Sequence, residues 1–117
     1  ADLLEFLVHA SREGATVAGY GAPGKGNTLL NHCGIRADLL PFTVDLNPHK
    51  QGLFLPGSHI PILAPDAIAE ARPDYVVVLP WNLRAEISEQ LAYVHEWGGR
   101  LVFPIPRLDI VEEAVPR

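Results

Sequence analysis

Short β-branched runs alternate with helical patterns along this chain, and that alternation predicts an α/β fold with parallel strands. Two further observations sharpen the prediction. The run Tyr75-Val76-Val77-Val78-Leu79 is almost continuously apolar, as expected of a central parallel strand covered on both faces. The run Val17-Ala18-Gly19-Tyr20-Gly21-Ala22-Pro23-Gly24-Lys25-Gly26-Asn27 reads as a buried strand that breaks into a glycine-rich loop and enters a helix. Together they predict a Rossmann-like, three-layer α/β domain. Its sheet is mostly parallel and five-stranded, in the order 3-2-1-4-5, with helices on both faces.

The elements follow in order. Leu3, Leu4, Leu7 and Val8 recur at helical spacing, and Gly14 supplies a stop. Residues 16–20 form the first strand. Asn27 caps a second helix with Leu29, Leu30 and Cys33 inward, ending at Gly34. Residues 42–45 are the second strand. Residues 47–59 make a long polar loop containing proline and glycine. Residues 60–63 are a short third strand, followed by a helix from about Asp66 that stops before Pro73. After the 75–79 strand, residues 83–97 read as one helix with Ile87, Leu91 and Val94 on one face, ended by Gly98-Gly99. Residues 101–103 are the last strand. The tail from Pro104 holds three prolines and is expected to run extended along the surface.

Bulk properties bound the function. A chain of 117 residues with 48% apolar content suits one domain with its own core. A net charge of −5 disfavours a nucleic-acid partner. No apolar run approaches membrane-spanning length, so no membrane partner is expected. The single cysteine, Cys33, excludes an internal disulfide and a cysteine-rich zinc site, and a cytoplasmic location is the expectation. The chain lacks Met and opens on Ala1 in helical character. That suggests residues 1–117 are a single domain from a larger protein.

Ligands of such folds bind outside the carboxyl ends of the strands, where the strand order reverses. Four loops meet there, and most of the polar and aromatic candidates lie in them. The glycines at 19, 21 and 24 fit the G-x-G-x-x-G spacing, and a diphosphate is the first ligand this implies. Gly21, Ala22, Gly24, Lys25, Gly26 and Asn27 are the candidates in that loop. Gly26 stands where a Ser or Thr would hold Mg²⁺ in a nucleoside-triphosphate loop, which argues against that chemistry. Asp45 ends the second strand and suits a sugar hydroxyl, or else it shapes the turn Asp45-Leu46-Asn47-Pro48. Asn47, Lys50 and His59 place donor groups in the long second loop, and His49 and Gln51 accompany them. Trp81 and Asn82 follow the fourth strand; Trp81 can stack on a base, dock a neighbouring domain or close the sheet. No nucleophile turn, paired carboxylates or metal-ligand spacing is apparent, so neither catalytic nor metal residues are assigned. A tight βα turn that binds nothing is the alternative for the loop as a whole.

The segments GYGAPGKGNTLLNHCGI, FTVDLNPHKQGLFLPGSHIPI, RPDYVVVLPWNLRAEI and EWGGRLVFPIP carry a family resemblance. Over about residues 16–106 the chain resembles the C-terminal domain of the sugar C-methyltransferase family. The resemblance implies an S-adenosylmethionine-dependent enzyme that methylates a carbon of a nucleotide-linked deoxysugar or a related small metabolite. Proton removal beside a sugar carbonyl would precede attack on the sulfonium methyl. It further implies that S-adenosylmethionine and the catalytic groups lie on a preceding domain, and that this domain binds the nucleotide-linked sugar. If the nucleotide is thymidine diphosphate, its deoxyribose has no 2′-hydroxyl, and Asp45 must then serve another hydroxyl or the loop itself. Two rivals remain open from the residues: an NAD-binding module that depends on Asp45, and a non-catalytic protein-interaction domain.

Overall fold

The computed structural model describes residues 2–111. Helix α1 (Asp2–Arg12) leads into β1 (Val17–Tyr20), and α2 (Gly24–Cys33) leads into β2 (Thr43–Val44). Strand β3 (Ile62–Leu63), α3 (Asp66–Ala71) and β4 (Tyr75–Val78) follow. A 3₁₀ turn (Trp81–Leu83), α4 (Arg84–Gln90) and a second 3₁₀ segment (Ala92–Trp97) then lead to β5 (Arg100–Phe103) and β6 (Asp109–Val111). The sheet order is β3-β2-β1-β4-β5-β6. Strands β1 to β5 pair in parallel, and β6 pairs antiparallel with β5.

The predicted order of the first five strands and the α/β class hold. The sheet gains a sixth strand from the tail that was expected to lie along the surface. Asp109, Ile110 and Val111 register with Phe103, Val102 and Leu101, which would otherwise form an open edge. A single charged link adds to this: Arg84 on α4 pairs with Asp109 and stacks over the Phe103 ring. The last part of the expected tail, residues 112–117, lies outside the described residues.

Two cores sandwich the sheet. Alternation along β4 sorts its side chains, with Val77 on one face and Val76 and Val78 on the other. The first face is covered by Leu3, Leu7 and Ala10 of α1 and Leu30 of α2. The second is covered by Ile68 of α3, Ile87 of α4, and Leu91 and Val94 beyond it. All three valines are fully buried, as the apolar run predicts.

Three local expectations are corrected. The second helix begins at Gly24, and Pro23 takes the N-cap position with φ −77° and ψ 156°. Asn27 therefore sits inside the first turn and does not cap it. The predicted 83–97 helix is broken: α4 stops at Gln90, Leu91 turns aside at φ −100° and ψ 13°, and a 3₁₀ segment carries the chain to Gly98. The inward face survives because Ile87, Leu91 and Val94 still reach the same core. The 47–59 loop is folded back as a hairpin-like arm on the β3 edge. Its Gly52 and Leu55 N–H groups donate to Ile62 and Ile60, Ile62 N–H returns to Leu53, and Phe54 bridges Pro61.

Thr43 links β2 to the loop after β1. It is fully buried, and its hydroxyl donates to the Gly21 carbonyl at 2.7 Å. Thr43→Val keeps the shape and removes the donor, so the fold should lose about 1–3 kcal/mol. Thr28→Val removes an exposed hydroxyl bond to Gly24 and should stay within about 0.5 kcal/mol of the parent. Denaturant unfolding of the two variants checks the difference.

Candidate functional site

The chain leaves β1 at Tyr20 and must turn at once into α2, because β4 lies against it on the other side. Gly21 makes that turn at φ 91°, a conformation L side chains rarely adopt. A Cβ there would also meet Pro80 Cδ at 2.7 Å. Gly26 lies against the end of β4, and a Cβ on it would stand 2.8 Å from Leu79 Cβ. Gly24 is different: nothing lies within 4 Å of where its Cβ would be. The tight turn, the open backbone and the helix–strand contact thus fall to Gly21, Gly24 and Gly26. The spacing that predicted the loop used Gly19, Gly21 and Gly24. Gly19 instead serves the sheet, since a Cβ on it would touch Thr43 Oγ1 at 2.8 Å.

Asp45 ties the second loop to the first. One carboxylate oxygen accepts the Ala22 N–H at 2.9 Å, and the other accepts the Asn47 N–H at 2.8 Å. Lys50 donates to the Ala22 carbonyl at 3.0 Å, and Gln51 donates to the Asp45 carbonyl at 2.8 Å. Asn47 repeats the turn motif by accepting the His49 N–H at 3.0 Å. The glycine loop and the 45–51 loop are therefore one hydrogen-bonded unit.

Between this unit and the end of β4 lies a cleft of about 210 Å³ at the carboxyl ends of β1, β2 and β4. It sits at the β1/β4 junction, where the strand order reverses. Its walls include Tyr20, Gly21, Ala22, Asp45, Lys50 and Pro80, with Glu86 and Gln90 of α4 opposite the loop. Leu46 and Leu83 stand on its walls with 63% and 45% of their surfaces exposed. Tyr20 donates its hydroxyl to Gln90 Oε1 at 2.9 Å. Burial, then the Asp45 charge, then Tyr93 and Glu86, raise its pKa above the ordinary 10.0. Tyr20 is accordingly a neutral donor near pH 7.

The structure brings Gly21, Ala22, Asp45 and Lys50 into the cleft, with Gly24, Lys25, Gly26, Asn27 and Asn47 on the bounding segments. Lys25 is exposed at the start of α2 and makes no ion pair among the described residues. The Gly24, Lys25 and Gly26 N–H groups at the start of α2 have no intrahelical acceptor, and Pro23 brings no capping side chain. Asn27 Oδ1 is buried there without a hydrogen-bond partner among the described residues. His59 is held apart from this group. It precedes β3 at the amino end of the sheet, at φ 59°, in a turn tied to Asn31 and Arg36 near the end of α2. Trp81 and Asn82 form the 3₁₀ turn beside the cleft, but their neighbours Pro80 and Leu83 line it. Tyr20, Glu86 and Gln90 were missed. Glu86 carried the pattern of a solvated helix face, and Tyr20 was read only as a strand residue. A larger cavity of about 350 Å³ opens at the amino end of the sheet, with Asp38 its one charged lining residue among those described. Among the described residues, no group of three or more His, Cys, Asp and Glu is placed to hold a metal, and no helix is long and apolar enough to cross a membrane.

Fold and cleft define a Rossmann-like α/β module whose loops converge on a strand-order switch. The chain belongs to the family described as the C-methyltransferase C-terminal domain, whose model matches residues 1–106. The C-methyltransferase resemblance of the sequence is thereby borne out. It is 41% identical over 111 residues to the C-methyltransferase NovU of Streptomyces niveus, which covers 95% of this chain and 26% of that protein. The UDP-D-quinovosamine 4-dehydrogenase of Vibrio fischeri has a similar fold, with a TM-score of 0.53 and 21% identity over 78% of this chain and 77% of that one.

The glycine roles predict a sharp contrast. Gly26→Ala gains about 1 kcal/mol of helix propensity but crowds Leu79, an overpacking that costs about 1–3 kcal/mol, so it should destabilise. Gly24→Ala meets open space and should leave stability unchanged or raise it by up to about 1 kcal/mol. Thermal or denaturant melts of both variants decide the matter.

Proposed function

We propose that this domain binds a nucleotide-linked sugar for an S-adenosylmethionine-dependent C-methyltransferase, and holds it against the preceding methyltransferase domain. The observation that carries the reading is the pairing of an open Gly24 with uncapped α2 N–H groups and a Lys25 that makes no ion pair among the described residues. Backbone donors at a helix start, with a cation beside them, suit a diphosphate. Gly21, Gly24, Lys25 and Gly26 take the diphosphate side, while Asn27 lies just behind them. Asp45, Asn47 and Lys50 brace the loop and face the sugar side. Trp81 and Asn82 lie where a base or the neighbouring domain would approach.

The size of the cleft supports a shared site. At about 210 Å³ it is below the ~300–1,000 Å³ usual for a complete ligand pocket, so another part of the protein would close it. Each Asp45 oxygen accepts one loop N–H and keeps a lone pair that a ligand hydroxyl can use. The matched segment is 26% of NovU, so most of such a protein lies outside this domain. The donor cofactor is assigned to that remainder, and this chain contributes orientation and closure.

Lys25→Ala in the full-length enzyme should weaken nucleotide-sugar binding about 10- to 100-fold, the worth of one charge-assisted hydrogen bond. Gly24→Val should block close approach and weaken the same ligand. S-adenosylmethionine affinity should not change in either variant. Calorimetry with both ligands checks this. Unchanged nucleotide-sugar affinity, or a loss confined to S-adenosylmethionine, would refute the diphosphate assignment.

A further inference from the structure

The wall of the cleft opposite the glycine loop belongs to α4. Glu86 and Gln90 stand four residues apart on that helix, so they share one face, with buried Ile87 beside them in the wall. Gln90 is oriented from the sheet. Tyr20 donates to its Oε1, which leaves both Nε2 hydrogens as donors, and Nε2 has no partner among the described residues. Glu86 is an acceptor with no hydrogen bond among the described residues. The Tyr20 ring is anchored in the second core, and its hydroxyl reaches the cleft.

This wall differs in charge from the loop side. Glu86 is the charged residue that α4 brings to the cleft, and it repels a phosphate. A carboxylate acceptor one turn from a carboxamide donor instead matches groups that donate and accept at once, namely neighbouring hydroxyls. A neutral ring carrying vicinal hydroxyls therefore suits α4, and the anion suits the start of α2.

We propose that Glu86 and Gln90 recognise the hydroxyl-bearing sugar ring, Gln90 donating to one hydroxyl and Glu86 accepting from its neighbour. Tyr20 is a positioning residue that fixes which way the Gln90 amide faces. The assignment rests on the nucleotide-sugar reading of the cleft and adds the element that reads the sugar.

The test uses the full-length enzyme, with thymidine diphosphate and thymidine diphosphate glucose as calorimetric probes. The parent should bind the glucose conjugate more tightly than the bare diphosphate. Gln90→Leu and Glu86→Ala should each weaken the conjugate about 3- to 10-fold and leave thymidine diphosphate unchanged. Tyr20→Phe should weaken the conjugate less, and that effect should vanish in a Gln90→Leu background. Both side chains on α4 are exposed, so their variants should fold. Conjugate affinity unchanged in both α4 variants, or lowered equally with bare diphosphate, would overturn the sugar wall while the diphosphate reading stands. A parent that binds the two probes equally would overturn it too. A parent that binds neither probe would overturn both.

Discussion

The carboxylate of Asp45 is the contact on which the rest of the cleft depends. Two segments 23 residues apart meet there, the turn after β1 and the turn after β2. The turn after β2 is closed by its own hydrogen bonds and braces the turn after β1. Gly21 is held from below by Thr43 and by its N–H bond to Val44, and Ala22 is the first residue past that support. Without an acceptor, the Ala22 N–H would be buried and unsatisfied, at a cost of about 1–3 kcal/mol. Asp45 supplies that acceptor with one oxygen and uses the other to wind the chain toward Asn47. Lys50 then closes the unit on the Ala22 carbonyl. A single side chain thereby sets the loop shape and the level at which α2 begins.

Close packing explains why this arrangement sits at the β1/β4 junction. The sheet approaches the loop so tightly that Gly21 and Gly26 touch Pro80 and Leu79 with hydrogen in place of Cβ. Those contacts pull the start of α2 down onto the sheet. Gly24, one turn position away, is left bare. The opposite wall is built separately, from α4, and the Tyr20–Gln90 hydrogen bond links β1 to that helix. The cleft is thus two half-sites of different charge, a donor-rich loop and an acid-bearing helix face.

Much of the fold was legible because its signals are local and repeated. The apolar run of β4, the strand–glycine–helix passage and the alternation of elements each point to one α/β arrangement. The sixth strand was not legible, since Asp109-Ile110-Val111 is short, follows two prolines and is defined by its partner β5. The break after Gln90 was hidden for a related reason: the 3₁₀ segment keeps Val94 inward, so the apolar pattern looks continuous. In the site, Asp45 was found by its position at a strand end, but its engagement with Ala22 requires the turn geometry. Glu86 and Gln90 read as an ordinary polar helix face until the sheet puts Tyr20 beside them. His59 was grouped with Asp45 because one loop joins them, and the hairpin-like arm carries it to the other end of the sheet.

Amide hydrogen exchange in an Asp45→Ala variant tests the central role of this carboxylate most directly. The Ala22 and Asn47 amides should lose their protection together, because each has lost its own acceptor oxygen, while the β1 amides of residues 17–20 keep theirs. If the Ala22 amide stays as protected as in the parent protein, the glycine loop holds its shape without Asp45, and the account of how the cleft is built is wrong.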